Sequence, residues 1–330
     1  MRKVPLGKSG LSVSRLGYGA MGLSEFYGDA LSNAEAETVL DAALERGVNF
    51  LDTADMYGSG RNEEQLSGFL ARRRKDVVIA TKFAIVRTAD GGWGGLSNDP
   101  AYIKAACEAS LKRLKVDVID LYYMHRRDPN VPIEESVGAM ADLVRAGKVR
   151  ALGLSEVNAA TLRKANGVHP ISALQSEYSI VTRDMEKEMI PACREIGAAF
   201  VAYSPLGRGF LTGAYRSEKD FAKGDYRMAG NPRFADGALE KNLRLVDAIA
   251  EIAEEKRATP GQIALAWVMA KGDDIIPIPG TKKVERLEEN IGALKIALSP
   301  ADIAAIERAA PPEAVTGERY PATSATTLNH

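Results

Sequence analysis

Cysteine, histidine and net charge are all scarce in this sequence. Among 330 residues there are two cysteines, Cys107 and Cys193, and three histidines. Two thiols cannot build a disulfide framework, and so few thiols and imidazoles make a poor zinc site. Basic and acidic residues number 43 and 44, for a net charge of −1. A chain so balanced projects no overall field toward nucleic acid or an anionic membrane. No apolar run approaches the roughly 20 residues of a membrane-spanning helix. The start, MRKVPLGKSG, lacks the apolar segment of a signal peptide. The expectation is a soluble, cytoplasmic protein without a metal, a nucleic-acid partner or a membrane. Whether it forms a homo-oligomer is left open.

Short apolar runs and longer amphipathic stretches do fill the chain. The runs are SRLGYGAM, VNFLDTAD, DVVIATKF, VIDLYYMH, VRALGLSE, ISALQSEY, AAFVAYSP and DIIPIPGT. They are near-continuously apolar, as parallel strands covered by helices are. Helix patterns lie between them. One opens on Ser32 or Asn33 and stops at Gly47, and another has Asp99 as cap and Pro100 at its first position. Pro191 should kink or restart a helix over 184–197. Eight such units in unbroken series predict an α/β fold, a single-domain (β/α)8 TIM barrel over residues 1–310. A long polar insertion at about 212–240 reads as a lid or cofactor clamp. Residues 311–330, rich in Pro, Ala and Thr, read as a mobile tail.

In such a barrel chemistry collects where the strands end. The second run ends in Asp52 with Tyr57 just beyond, the third in Lys82 and the fourth in His125. Singly, each has an ordinary structural explanation. Four such side chains on one rim are not required by packing. A phenol ionises near pH 10, and a nearby ammonium lowers that value. A buried ammonium needs a carboxylate. The expectation is that Asp52 holds Lys82, Lys82 brings the Tyr57 pKa down, and Tyr57 gives a proton to a carbonyl that His125 orients.

A hydride donor is then needed, and the remaining strand ends fit nicotinamide. Tyr203 is placed to stack on the ring, and Ser155 and Gln175 to bond its amide. The stretch Ser204, Pro205, Leu206, Gly207, Arg208, Gly209 and on to Leu211 is glycine-rich enough for a pyrophosphate. Gly280, Thr281, Lys282, Arg286, Glu289 and Asn290 surround a helix start suited to the extra phosphate of NADPH. GYGAMG matches a dinucleotide fingerprint, but no helix opens directly after it, so the Rossmann reading is rejected. Gly19, Ala20 and Met21 still line the rim. GKS at 7–9 lacks the upstream glycine of a P-loop.

On LGYGAMGLS, GVNFLDTADMYGSGRNEEQLSGFL, VVIATKF, SLKRLKVDVIDLYYMHRRDP, GKVRALGLSEVN, LQSEYS, VAYSPLGRGFLTG and IPIPGTKKVERLEENIGA, the chain resembles the aldo-keto reductase superfamily. The likeness runs in order to about residue 310. It is to the bacterial and plant branch of perakine-reductase-like and pyridoxal-reductase-like enzymes. It implies a barrel that binds NADPH, the tetrad Asp52, Tyr57, Lys82 and His125 with Tyr57 as general acid, and cofactor contacts from Ser155, Gln175, Tyr203 and the two loops above. One departure stands out. Where many members have Ser-Asn, this chain has Ser155-Glu156, and the Glu156 carboxylate is expected to bond the cofactor's carboxamide in place of the asparagine. The implied function is NADPH-dependent reduction of an aldehyde or ketone. The alternative is a regulatory NADPH-binding protein resembling channel β-subunits. Schiff-base chemistry on Lys82 is a third reading, which the neighbouring Tyr57 and His125 disfavour. Trp93, Arg126 and Arg127 are candidate substrate contacts.

Overall fold

The eight apolar runs become eight parallel strands of one curled sheet. A computed structural model describes residues 1–222, 225–235, 237–322 and 327–328. In chain order its elements begin with β1 (Lys3–Pro5), β2 (Ser12–Ser14), β3 (Tyr18–Gly19), α1 (Asn33–Glu45), β4 (Phe50–Asp52), α2 (Arg61–Arg73) and β5 (Val78–Phe83). Next come β6 (Ile85–Arg87), β7 (Trp93–Leu96), α3 (Pro100–Leu114), β8 (Ile119–Met124), α4 (Ile133–Arg145), β9 (Val149–Ser155) and α5 (Ala159–Val168). The last are β10 (Ile171–Glu177), α6 (Met189–Ile196), β11 (Ala199–Tyr203), α7 (Tyr226–Gly230), α8 (Ala238–Glu255), α9 (Pro260–Ala270), β12 (Ile275–Pro277), α10 (Val284–Gly292) and α11 (Pro300–Ala309).

The sheet runs β12-β11-β10-β9-β8-β5-β4-β3, and its edges meet. The Gly17 amide donates to the Pro277 carbonyl at 2.9 Å, and that of Gly19 to Pro279 at 3.3 Å. A Cβ on Gly19 would stand 2.8 Å from the Ile278 carbonyl oxygen, and one on Gly280 would stand 2.5 Å from that of Gly19. Gly17 and Gly19 of GYGAMG therefore serve barrel closure, where two backbones must approach closely.

Two apolar layers follow from the strands. Inside the barrel are Phe50, Val78, Ala80, Leu121, Tyr123, Ala151, Ala173, Val201 and Ile276. Packed with them are Val4, Leu6, Leu11 and Val13 from the β1–β2 hairpin, an element the sequence reading did not identify. Outside, the other strand faces pack on the helices. The cap signals work as expected. Asp99 accepts from the amides of Ala101 and Tyr102 ahead of Pro100. The helix pattern over 184–197 is interrupted, and α6 starts at Met189 with Pro191 in its first turn.

Two long segments return to the rim. In the insertion, Arg227 pairs with Asp225 at 2.6 Å and lies 4.0 Å over the Tyr215 ring. The Tyr226 amide donates to the Phe26 carbonyl, tying the insertion to the loop after β3. As far as Tyr320 the tail makes contacts with the rest of the chain. The Thr316 amide donates to Asn242 Oδ1, Arg319 pairs with Glu156, and Tyr320 Oη meets Tyr203 Oη. Polar and aromatic partners on the rim offset the ordering cost of this segment. Parts of both segments, residues 223, 224, 236, 323–326, 329 and 330, lie outside the described residues.

Candidate active site

Asp52, Lys82 and His125 are delivered by three neighbouring strands, because β4, β5 and β8 pair in register. Tyr57 follows on a turn that needs unusual backbone. Gly58, Ser59 and Gly60 have φ of 56°, 54° and 92°, a left-handed run that glycine tolerates and serine does not favour. Glu25 and Arg87 hold that turn from both sides. The Gly58 amide donates to Glu25 Oε2 at 2.8 Å, Arg87 Nε donates to the Met56 carbonyl at 3.2 Å, and Arg87 pairs with Glu25 at 2.5 Å.

Lys82 is fully buried and is the hub. Its Nζ donates to Asp52 Oδ1 at 2.5 Å, to the Thr53 carbonyl at 2.7 Å and to Tyr57 Oη at 3.3 Å. Asp52 also accepts from Gln175 Nε2 at 2.8 Å. The His125 ring stands edge-on to Tyr57, centroids 5.8 Å apart. Burial, with Arg126 and Lys82 adding to it, holds the His125 pKa well below the usual imidazole value. The ring is therefore neutral at pH 7. One expectation is corrected. Burial is the largest influence on Tyr57 and raises its pKa, while Lys82 and Arg126 pull the other way without prevailing. The phenol rests protonated.

The other candidate residues fall into distinct groups. Ser155 accepts from Arg126 Nη1 at 3.2 Å. Gln175 donates to Asp52 Oδ2 at 2.8 Å, which places its amide at the tetrad. Glu156, with φ of 51°, accepts from the Glu177 amide, Tyr203 Oη and Arg319. That network takes the carboxylate that stands where many superfamily members have asparagine. Ser204, Gly207, Arg208 and Gly209 all have positive φ, and Arg208 reaches Glu177 Oε2 at 3.2 Å and lies 5.0 Å over the Tyr320 ring. Pro205 is buried and Leu206 partly so. Leu211 is turned into the core, and its amide bonds the Leu206 carbonyl. The Ala20 amide donates to the Asp52 carbonyl, with Gly19 before it and Met21 after.

Around β12, the Thr281 carbonyl accepts from Tyr18 Oη. Lys282 Nζ donates to the Tyr27 and Asp29 carbonyls at 2.6 and 2.8 Å. Arg286, more than half exposed, pairs with Glu289, which also accepts from Thr259. Asn290 is buried nearby. Helix α10 starts at Val284 without a side-chain cap. Its first amides are therefore available to an anion.

The sequence reading missed Glu177, Arg319 and Tyr320. It also missed Asp55, whose amide donates to the Lys82 carbonyl. Asp55 is half-buried, and its Oδ1, sealed from solvent, has no hydrogen-bond partner among the described residues. Burial first, and Glu63 second, push its pKa up to about 8. A raised carboxyl stabilises the fold below its unfolded value, 3.8, and that contribution is lost as pH rises through the folded value. Asp55→Asn should therefore gain in melting temperature over the parent by several degrees more at about pH 9 than at about pH 5. An offset that stays constant across that range would contradict it.

Comparison with known proteins gives the family and the fold. The Aldo/keto reductase family pattern matches residues 15–311. The chain is 47% identical to an aldo-keto reductase [NADP(+)] of Schizosaccharomyces pombe, over 94% of this chain and 92% of that one. It is 44% identical to a probable aldo-keto reductase of Glycine max, over 97% and 92%. Among solved structures, the holo form of an aldo-keto reductase from Bacillus halodurans superposes with a TM-score of 0.78 at 29% identity, covering 94% of this chain and 97% of that one. A glycerol dehydrogenase from Gluconobacter oxydans gives 0.85 at 27% identity, covering 94% and 96%.

Proposed function

The chain belongs to the aldo/keto reductase family, and from that premise we propose that it is an NADPH-dependent reductase of aldehydes or ketones with Tyr57 as proton donor. One observation carries the reading. A protonated, buried phenol stands 3.3 Å from a buried ammonium that Asp52 holds, beside a neutral imidazole.

NADPH bound at the rim would supply the hydride. The residues suited to hold it are Ser155 and Tyr203 toward the ring, the 204–209 loop with Arg208 toward the pyrophosphate, and Lys282, Arg286 and the uncapped start of α10 toward the 2′-phosphate. The insertion, tied to the loop after β3, is suited to close over it. The rest of the chemistry belongs to the chain. Tyr57 donates its proton to the carbonyl oxygen. The phenolate left behind faces Lys82 Nζ, a charge already in place that needs no reorganisation. Neutral His125 donates a hydrogen bond to the same oxygen without competing to lose a proton. Asp52 and Gln175 keep Lys82 charged and fixed.

The test compares cofactors. With 4-nitrobenzaldehyde as substrate, Lys282→Ala and Arg286→Ala should each raise the KM for NADPH by about 10- to 100-fold. That range corresponds to one hydrogen bond to a charged group, about 1.5–3 kcal/mol. The KM for NADH should move by less than about threefold. Equal losses for both cofactors would remove the 2′-phosphate assignment.

A further inference from the structure

Arg126 is a buried cation without an anion. It follows His125 directly and is only 8% exposed. Its Nη1 donates to the His125 carbonyl at 2.7 Å and to Ser155 Oγ at 3.2 Å, and both acceptors are neutral. Its Nε and Nη2 make no hydrogen bond among the described residues, and no described carboxylate pairs with it. Three other arginines of this rim are matched, while Arg127, half-buried, also has an unpartnered Nε among the described residues. Arg227 has Asp225, Arg208 has Glu177 and Arg319 has Glu156. Glu156, the acid that acts on Arg126 through space, already serves Tyr203, Arg319 and the Glu177 amide.

A guanidinium taken out of water is costly unless an anion or a full set of acceptors meets it. Arg126 is only 8% exposed, and its unpartnered Nε and Nη2 are not fully sealed, so they face what opening the rim leaves. Its position decides which anion it suits. Its charge is felt by Tyr57 on one side and by Tyr203 on the other. The phosphate-seat residues Lys282 and Arg286 follow β12, on the loop before α10 and in α10, with β9, β10 and β11 lying between β8 and β12 in the sheet. An anion at Arg126 would therefore sit beside the carbonyl that Tyr57 and His125 address.

We propose that Arg126 is an anion subsite of the reducing centre, and that the preferred substrates are carbonyl compounds bearing a carboxylate a few bonds from the carbonyl, such as 2-oxo acids and semialdehydes of dicarboxylic acids. This rests on the carbonyl-reductase reading above and names its substrate class. The planar fork of guanidinium matches a carboxylate with two parallel hydrogen bonds, which a lysine would not do as well. The reaction keeps its balance. A hydride goes from the reduced nicotinamide to the carbonyl carbon and a proton from Tyr57 to the oxygen. The carboxylate is unchanged, and the products are a hydroxy acid and the oxidised nicotinamide.

The test uses matched pairs that differ in one charge: phenylglyoxylate against its methyl ester, and succinic semialdehyde against its methyl ester. The quantity read is the ratio of kcat/KM for acid over ester. In Arg126→Met at least one pair should lose tenfold or more of that ratio, while Arg126→Lys retains part of it and the KM for NADPH stays within about twofold. Unaltered ratios in both pairs would overturn the proposal. So would a loss confined to NADPH affinity, which would give Arg126 to the cofactor. A second measurement needs no variant. Benzoate should inhibit reduction of methyl phenylglyoxylate competitively in the parent protein, and methyl benzoate should not; equal inhibition by both, or by neither, would also overturn it. Turnover of 4-nitrobenzaldehyde separates the two levels. If that neutral aldehyde is reduced but no acid is favoured, only the subsite fails. If nothing is reduced, the reductase reading fails and the subsite with it.

Discussion

Lys82→Met is expected to lose about 10²- to 10³-fold in kcat, the usual worth of one preorganised electrostatic donor, and to destabilise the fold by about 3–5 kcal/mol, the usual cost of stripping one partner from a buried pair. Both losses have one origin. Lys82 is fully buried and Asp52 nearly so, and the ammonium also satisfies the Thr53 carbonyl. Without it, Asp52 keeps only Gln175 as a donor among the described side chains. Burial already raises the Asp52 pKa against the pull of Lys82, so in the variant it rises further. By linkage, the variant should lose stability as pH rises toward and through that raised value. Adding Asp52→Asn should restore much of the stability, because the uncompensated charge is gone, and none of the turnover. Recovery of turnover in the double variant would show that Lys82 acts only by balancing Asp52. Denaturant melts across pH, read beside kcat, distinguish these outcomes.

Tyr57→Phe is expected to have the larger effect on turnover, about 10³-fold or more, with little change in stability. The ring keeps its edge-on contact with His125, and the lost hydroxyl makes only a 3.3 Å contact with Lys82, which retains two stronger acceptors. The phenol of the parent has a raised pKa through burial. Reduction should therefore show no loss of the acid form between about pH 6 and pH 9, and alcohol oxidation, which needs the phenolate, should still be climbing at the top of that range. His125, neutral throughout, should add no break to either profile. A reduction rate that falls with a midpoint near pH 7 would point to a different acid.

Much of the fold was legible because its information is local. The eight apolar runs, the Asp99–Pro100 helix start and the Pro191 interruption are all short-range patterns. The same reading brought Asp52, Lys82 and His125 to one rim, since each ends a strand and those strands pair. Gly17 and Gly19 of GYGAMG show the limit of motif matching. The spacing was real, but its cause is closure between β3 and β12. What remained hidden depends on partners far apart in the chain. Gln175 reaches Asp52 and Tyr320 reaches Tyr203 across more than a hundred residues, and no periodicity records such contacts. The Tyr57 pKa was misjudged in sign because a sequence shows a lysine nearby but not how completely both groups are buried. Arg126 was classed with Arg127 as a loop residue, and only its deeper burial sets it apart.

The central claim is that Tyr57 supplies the proton once NADPH and a carbonyl are both in place. The most direct measurement is single-turnover mixing of NADPH-loaded protein with 4-nitrobenzaldehyde, followed by the absorbance of the reduced nicotinamide, for the parent and for Tyr57→Phe, with NADPH affinity measured separately for each by fluorescence. The account predicts affinities within about twofold of each other and a hydride-transfer rate lower by about 10³-fold or more in the variant. A variant that binds NADPH normally and still oxidises it at more than about a tenth of the parent rate would contradict it.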